Sequence, residues 1–154
     1  MKKVILSFLF ICLVLSGCSR KNISEKKVEL AQLKTTINEE VEWPKMMEVD
    51  SESLQTLFYL NEDMYDEVVS EVSAMSVHAY ELIMVKAKDG KINEVKESIT
   101  HRIEDLEKMW STYLPEQYEL VKNAVKIEKG NYYFVIIHKD AKEIEKIINE
   151  AFES

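Results

Sequence analysis

Two apolar runs constrain the fold of this chain more than any other feature. Residues 82–85 read Leu-Ile-Met-Val, and residues 132–137 read Tyr-Tyr-Phe-Val-Ile-Ile. A strand with one solvated face alternates apolar and polar residues, whereas these runs do not alternate. The first run predicts a strand over 79–88, buried on both faces and closed by the turn at Asp89-Gly90. These two runs therefore predict that the hydrophobic core is built around β-strands.

Each run has a neighbour with which it can form a hairpin. Val125 and Ile127 alternate with polar residues, and Lys129-Gly130-Asn131 then turns the chain into 132–137, which predicts a hairpin. Residues 66–75 are ambiguous, because their apolar positions also fit a helical stripe. Their β-branched residues favour a strand that precedes 79–88.

Helices account for most of the remaining chain. Apolar residues at helical spacing predict helices over 30–41, 50–58, 92–110 and 141–152, and Pro115 opens a one-turn helix to residue 120. The order ααββα(α)ββα predicts an α+β domain over 27–153. We expect an antiparallel sheet of about four strands in two hairpins, with the amphipathic helices packed on one face.

The first 18 residues predict an exported lipoprotein. A basic start, an apolar run from Val4 to Val14 and the tetrapeptide Leu-Ser-Gly-Cys ending at Cys18 form a lipoprotein signal peptide. Its apolar run is shorter than the roughly 18 residues that cross a bilayer. Cleavage leaves Cys18 carrying a lipid on the outer face of the cytoplasmic membrane, followed by a polar tether over 19–26.

Cysteine content limits the kinds of site that this chain can form, and net charge limits its partners. Cys12 leaves with the signal peptide and Cys18 is lipidated, so disulfides, thiolate zinc sites and cysteine nucleophiles drop out. Cleavage removes two lysines and no acidic residue, which leaves 18 basic against 28 acidic side chains and changes the charge from -8 to -10. The negative net charge argues against nucleic acid as a partner and favours a basic envelope protein.

No motif predicts catalysis, a metal or a cofactor. The three glycines form no phosphate-binding loop, and His78, His101 and His138 have no metal-ligand spacing. We expect surface or capping roles for these histidines. Glu116 and Glu119 could in principle act as an acid/base pair on glycan, but two solvated helix-face charges are the favoured interpretation.

One aromatic cluster has the chemistry of a binding surface. Trp110, Tyr113, Tyr118, Tyr132 and Tyr133 combine aromatic faces with polar tips, which suits sugar stacking or a protein interface. Trp110 continues the apolar stripe of its helix and is predicted to be core. Tyr113 and Tyr118 flank Pro115 and are the predicted partner or ligand surface.

Two segments carry a resemblance to a known family. The run Lys-Ala-Lys-Asp-Gly-Lys over 86–91 and the run Tyr-Leu-Pro-Glu-Gln-Tyr over 113–118 resemble the domain of unknown function 4358. Its members are mostly small lipoproteins of Gram-positive bacteria. The resemblance covers about residues 28–152 and implies the location and the extent of the domain, but no activity, cofactor or catalytic residue.

The expected function is therefore that of a non-enzymatic binding or accessory domain, held at the membrane by the lipid on Cys18. The alternative is a cell-envelope hydrolase acting on peptidoglycan or peptide through a carboxylate and histidine set that meets only in the fold. A solute receptor is the least favoured, because the two-lobed hinge architecture of such receptors needs a longer chain.

Overall fold

The computed structural model describes residues 27–153. The elements in chain order are α1 (Leu30–Glu40), β1 (Met46–Glu48), α2 (Ser51–Leu57), β2 (Tyr65–Ser73), β3 (Glu81–Ala87), α3 (Ile92–Trp110), α4 (Pro115–Lys122), β4 (Val125–Lys129), β5 (Tyr132–Ile137) and α5 (Ala141–Glu153). The predicted α+β class is confirmed. The predicted signal peptide, with Cys18, and the predicted tether over 19–26 lie outside the described residues.

The sheet has five antiparallel strands in the order β1-β2-β3-β5-β4. Both predicted hairpins are present, and the ambiguous segment 66–75 is a strand up to Ser73. The two apolar runs pair at the centre, where Ile83 lies opposite Val135 and Met84 opposite Phe134. The fifth strand, β1, was not predicted, because three residues are too few to show a periodicity.

Helices cover both faces of the sheet, so the expectation of a single covered face is wrong. Successive residues of a strand point to opposite faces, and in β3 and β5 both sets are apolar. One face packs against α2, α3 and α4 through Ile83, Val85, Val135 and Ile137. The other packs against α1 and α5 through Leu82, Met84, Phe134 and Ile136.

The helix α2 starts where the sequence predicts it, whereas α4 is longer than predicted. The helix α2 begins as predicted after Asp50, whose side chain accepts a hydrogen bond from the Ser53 N–H at 2.7 Å. The helix α4 has eight residues rather than a single turn. Pro115 stands at its first turn, where a missing N–H costs no hydrogen bond.

The helix α1 runs from one end of the sheet to the other. At its start, the Leu30 N–H donates to Glu67 Oε1 at 2.9 Å, beside the first residues of β2. After its end, the Glu42 carbonyl contacts His138, which follows β5. We call the end at which residue 27 enters the domain the entry end. The opposite end, where β2 and β5 finish and β3 begins, is the far end.

Candidate functional site

A cleft opens at the far end between the loop 74–80 and the start of α4. Its volume is about 590 Å³, and its lining residues are Val77, His78, Leu114, Pro115, Glu116 and Gln117. The Ala79 N–H donates to Gln117 Oε1 at 2.8 Å and so joins the loop to the helix. The cleft is therefore held by a long-range hydrogen bond rather than by residues close in sequence.

The cleft combines apolar walls with one buried polar atom that has no hydrogen-bond partner in the described part of the chain. His78 Nδ1 is buried and makes no hydrogen bond within residues 27–153. Apolar side chains near the cleft stay exposed: Val77 is 39% exposed, Met75 48% and Tyr113 58%. Large exposed apolar side chains beside a cleft are typical of a binding surface.

A row of four rings supports the far end behind the cleft. His78 lies 5.8 Å from Tyr80, Tyr80 lies 4.9 Å from His138, and His138 lies 4.3 Å from Trp43, measured between ring centroids. These rings come from the segment after α1, the loop 74–80 and the end of β5. The row ties three separate parts of the chain to one another.

His138 is buried in this row, so of the two expected roles, surface or capping, the structure shows the capping one. The Asp140 N–H donates to His138 Nδ1 at 3.0 Å, and Nε2 lies 3.1 Å from the Glu42 carbonyl. We assign the proton to Nε2, since Nδ1 acts as an acceptor. The first contact caps the chain just before α5, as expected, and the two backbone partners make the burial tolerable. Burial lowers the pKa of His138, while the Glu42 carbonyl and Asp140 oppose that shift.

His138 predicts an acid-sensitive domain. An unfolded histidine titrates near about 6.5, and the folded pKa is lower, so the unfolded chain binds more protons in the window below that value. Stability should thus be full above pH of about 7 and fall as the pH drops through about 6. Thermal unfolding measured from pH 7.5 to 5 should show a steeper loss for the natural chain than for His138→Gln. Parallel curves would contradict this prediction.

The predicted aromatic cluster assembles only in part, because Tyr132 lies on the other face of the sheet. Trp110 is 5% exposed, which confirms its core position. Tyr113 is exposed, and its ring centroid lies 5.8 Å from that of Trp110. Tyr118 is half-buried, with Lys122 Nζ 5.3 Å from its ring centroid. Tyr132 and Tyr133 pack into the cores on opposite faces of the sheet, because they are adjacent in β5.

A buried ion pair lies in the core beneath the far end. Arg102 of α3 donates through Nε to Glu81 Oε2 at 3.3 Å and through Nη2 to Glu81 Oε1. The guanidinium also lies 4.6 Å from the ring centroid of Phe58. Glu81 and Arg102 are 4% and 9% exposed. Burial raises the pKa of the Glu81 carboxyl, and Arg102 opposes that shift.

Other site types have little support in the described chain. Over residues 27–153, no three His, Cys, Asp or Glu side chains gather in a group that could hold a metal ion. In the same range, no helix is both long and apolar enough to cross a membrane. Glu119, half of the acid/base pair considered above, forms an ion pair with Lys122 at 3.2 Å.

A five-stranded antiparallel sheet with helices on both faces and a cleft at one end defines an α+β domain with a candidate binding end. The chain belongs to the family described as Domain of unknown function (DUF4358), which matches residues 39–138. This match is shorter than the expected 28–152 but includes the cleft and the row of rings. No curated protein and no solved structure matches the sequence.

Proposed function

We propose that this protein is a membrane-tethered binding domain that holds an envelope protein at its far end. The observation that carries the proposal is that the entry end and the cleft lie at opposite ends of the sheet. The chain enters beside Glu67 at one end of the sheet, and the cleft lies at the other. A lipid on Cys18 would therefore anchor the entry end and leave the cleft pointing away from the bilayer.

The dimensions of the tether agree with this arrangement. Residues 19–26 are eight in number and span at most about 28 Å when fully extended. The helix α1, with 11 residues, adds about 16 Å between the entry end and the far end. The cleft would then lie within reach of the extracellular parts of membrane proteins, which favours an envelope protein as its partner.

The chemistry of the cleft also favours a protein ligand. Val77, Leu114 and Pro115 supply apolar surface, while Glu116 and His78 supply polar groups. Apolar walls with a few polar groups bind an apolar side chain and its polar neighbours. The excess of acidic over basic residues opposes binding to nucleic acid or to an anionic lipid surface.

Site-specific photo-crosslinking in cells tests this proposal. A photoreactive residue at Val77 should crosslink one protein to the lipidated chain, and the same residue at Asp66 should not. Asp66 is exposed at the entry end and so serves as the matched control. The Cys18→Ala form should lose the crosslink if the tether is needed. Equal labelling from both positions, or none from Val77, would contradict the proposal.

Tyr113→Ala should weaken partner binding without unfolding the domain. Tyr113 is 58% exposed, and changes at such surface positions shift stability by about 0.5 kcal/mol or less. Tyr118→Ala is the contrasting variant, because its half-buried ring packs against the core and its loss should lower the melting temperature. Thermal unfolding and the Val77 crosslinking yield measure the two effects. A melting temperature lowered equally by both variants would assign Tyr113 to the core.

A hydrolase is the second candidate, since His78 and Glu116 line the same cleft. A histidine and a carboxylate that converge from distant parts of the chain are what such an activity requires. Incubation of residues 19–154 with purified peptidoglycan tests it. Release of soluble fragments that Glu116→Gln and His78→Gln abolish would support hydrolysis. If no fragments are released, binding remains the only proposed function.

A further inference from the structure

Tyr59 adopts a backbone conformation that favours glycine. Its φ is 58°, and it is the only residue other than glycine with a positive φ in the described chain. It follows the C-cap Phe58, and the Leu60 N–H donates to the Leu54 carbonyl at 3.0 Å, so the chain turns back on α2 just after the helix ends. Glycine is usual at this position because a side chain there costs free energy.

The side chain of Tyr59 is held on the surface of α3. Its Oη donates to Asp105 Oδ2 at 2.6 Å, and its ring lies 5.7 Å from the ring of His101. The Tyr59 carbonyl accepts a hydrogen bond from Ser98 Oγ at 2.8 Å. The residue is nevertheless 41% exposed. A strained residue with a positioned, exposed aromatic ring suggests a role in recognition.

Tyr59 begins a line of exposed side chains that leads to the cleft. On α3, Met109 lies one turn beyond Asp105 and is 58% exposed. Tyr113 follows α3 and is equally exposed, and its neighbour Leu114 lines the cleft. We name Tyr59, Asp105, Met109 and Tyr113 the α3 strip. From Asp105 to Tyr113 it covers about 12 Å, taking the rise of a helix.

We infer that the α3 strip binds a short protein segment that carries apolar side chains and at least one Lys or Arg. The inference rests on the proposed function, since it extends the binding site from the cleft along α3. A length of about 12 Å corresponds to about four extended residues or eight helical ones. A segment of that length covers Met109 and Tyr113, and a few further residues at its two ends would place apolar side chains on Tyr59 and in the cleft.

The acidic side chains around the α3 strip favour a basic segment as the partner. Asp105 accepts the hydrogen bond from Tyr59 Oη, and Glu104 precedes it on α3. Glu116 lines the cleft at the other end of the α3 strip. Lys108 forms an ion pair with Asp105 at 3.2 Å. The whole chain carries a formal charge of -8. An acidic surface around aromatic and apolar side chains attracts a cationic, apolar segment.

Photo-crosslinking with peptide mapping in intact cells tests the inference. Photoreactive residues at Met109 and at Val77 should label the same protein, and the labelled peptides should lie within one segment that contains Lys or Arg. Labelling from Val77 but not from Met109 would overturn the α3 strip and leave the proposed function standing. Labelling from neither would overturn both. A mapped segment without Lys or Arg would overturn the inferred partner chemistry.

Tyr59→Gly separates recognition from stability. Glycine relieves the positive φ, so the melting temperature should stay equal or rise, while the yield of the Val77 crosslink should fall about ten-fold. Tyr59→Asn provides a second variant, because asparagine also tolerates this conformation. A lower melting temperature with an unchanged crosslinking yield in both variants would show a structural role and overturn the inference.

Discussion

Replacing Arg102 by methionine should destabilise the domain by about 3–5 kcal/mol, because it leaves the Glu81 carboxylate unpaired in the core. Both side chains are almost fully buried, and the guanidinium donates twice to that carboxylate. Methionine keeps an apolar contact with Phe58, so the loss reflects the charge rather than a cavity. Urea unfolding of residues 27–153 measures the change in the free energy of unfolding.

The double variant Glu81→Leu/Arg102→Met is the matched control for this effect. Replacing both members of a buried ion pair by apolar residues is often neutral or stabilising, so most of the lost stability should return. Lys108→Met removes an exposed pair with Asp105 and should cost about 1 kcal/mol or less. An Arg102→Met variant no less stable than Lys108→Met would show that water reaches Glu81 in the folded domain.

The family-matched segment 39–138 should fail to fold by itself, although residues 27–153 should fold. The shorter segment lacks most of α1 and all of α5. Those two helices cover Leu82, Met84, Phe134 and Ile136 on one face of the sheet. Removing them would expose a continuous apolar surface of the two central strands, at a cost of about 25 cal/mol for each Å². At that rate, about 400 Å² of newly exposed apolar surface cancels about 10 kcal/mol, which is a usual stability for a whole domain.

Circular dichroism and proton NMR of the two segments measure this effect. Residues 27–153 should give a cooperative thermal transition and dispersed amide signals, and residues 39–138 should give neither. The same result would establish 27–153 as the folding unit. A cooperative transition for 39–138 would show instead that α1 and α5 are additions to a smaller independent core.

Much of the fold could be predicted from short-range patterns. The alternation in 125–128 and the apolar run 132–137 indicated the second hairpin, and the spacing of Val95, Ile99 and Ile103 indicated α3. Such patterns are legible because the side chains on one face recur every two residues in a strand and every three or four in a helix. The short strand β1 offered no repeat of this kind.

The candidate site was only partly predictable. Tyr113 was identified as surface because an aromatic residue beside a helix-opening proline suits that position, and its partner role stays a prediction. Val77 and His78 lie on a loop 37 and 36 residues before Leu114, and no local pattern links them to it. Glu81 and Arg102, 21 residues apart, are likewise joined only through the packing of α3 on β3. A periodicity search cannot detect such pairs.

The sequence by itself determined most of the helices and strands and the apolar character of β3 and β5, and it places no cysteine in residues 27–153 that could form a disulfide. Only the tertiary structure decided that helices cover both faces, that the entry end opposes the cleft and that His138 is buried. Local spacing specifies an element and its apolar side, whereas the partner of that side depends on the packing of residues distant in the chain. The candidate site is made of such distant residues, so it appears only in the fold.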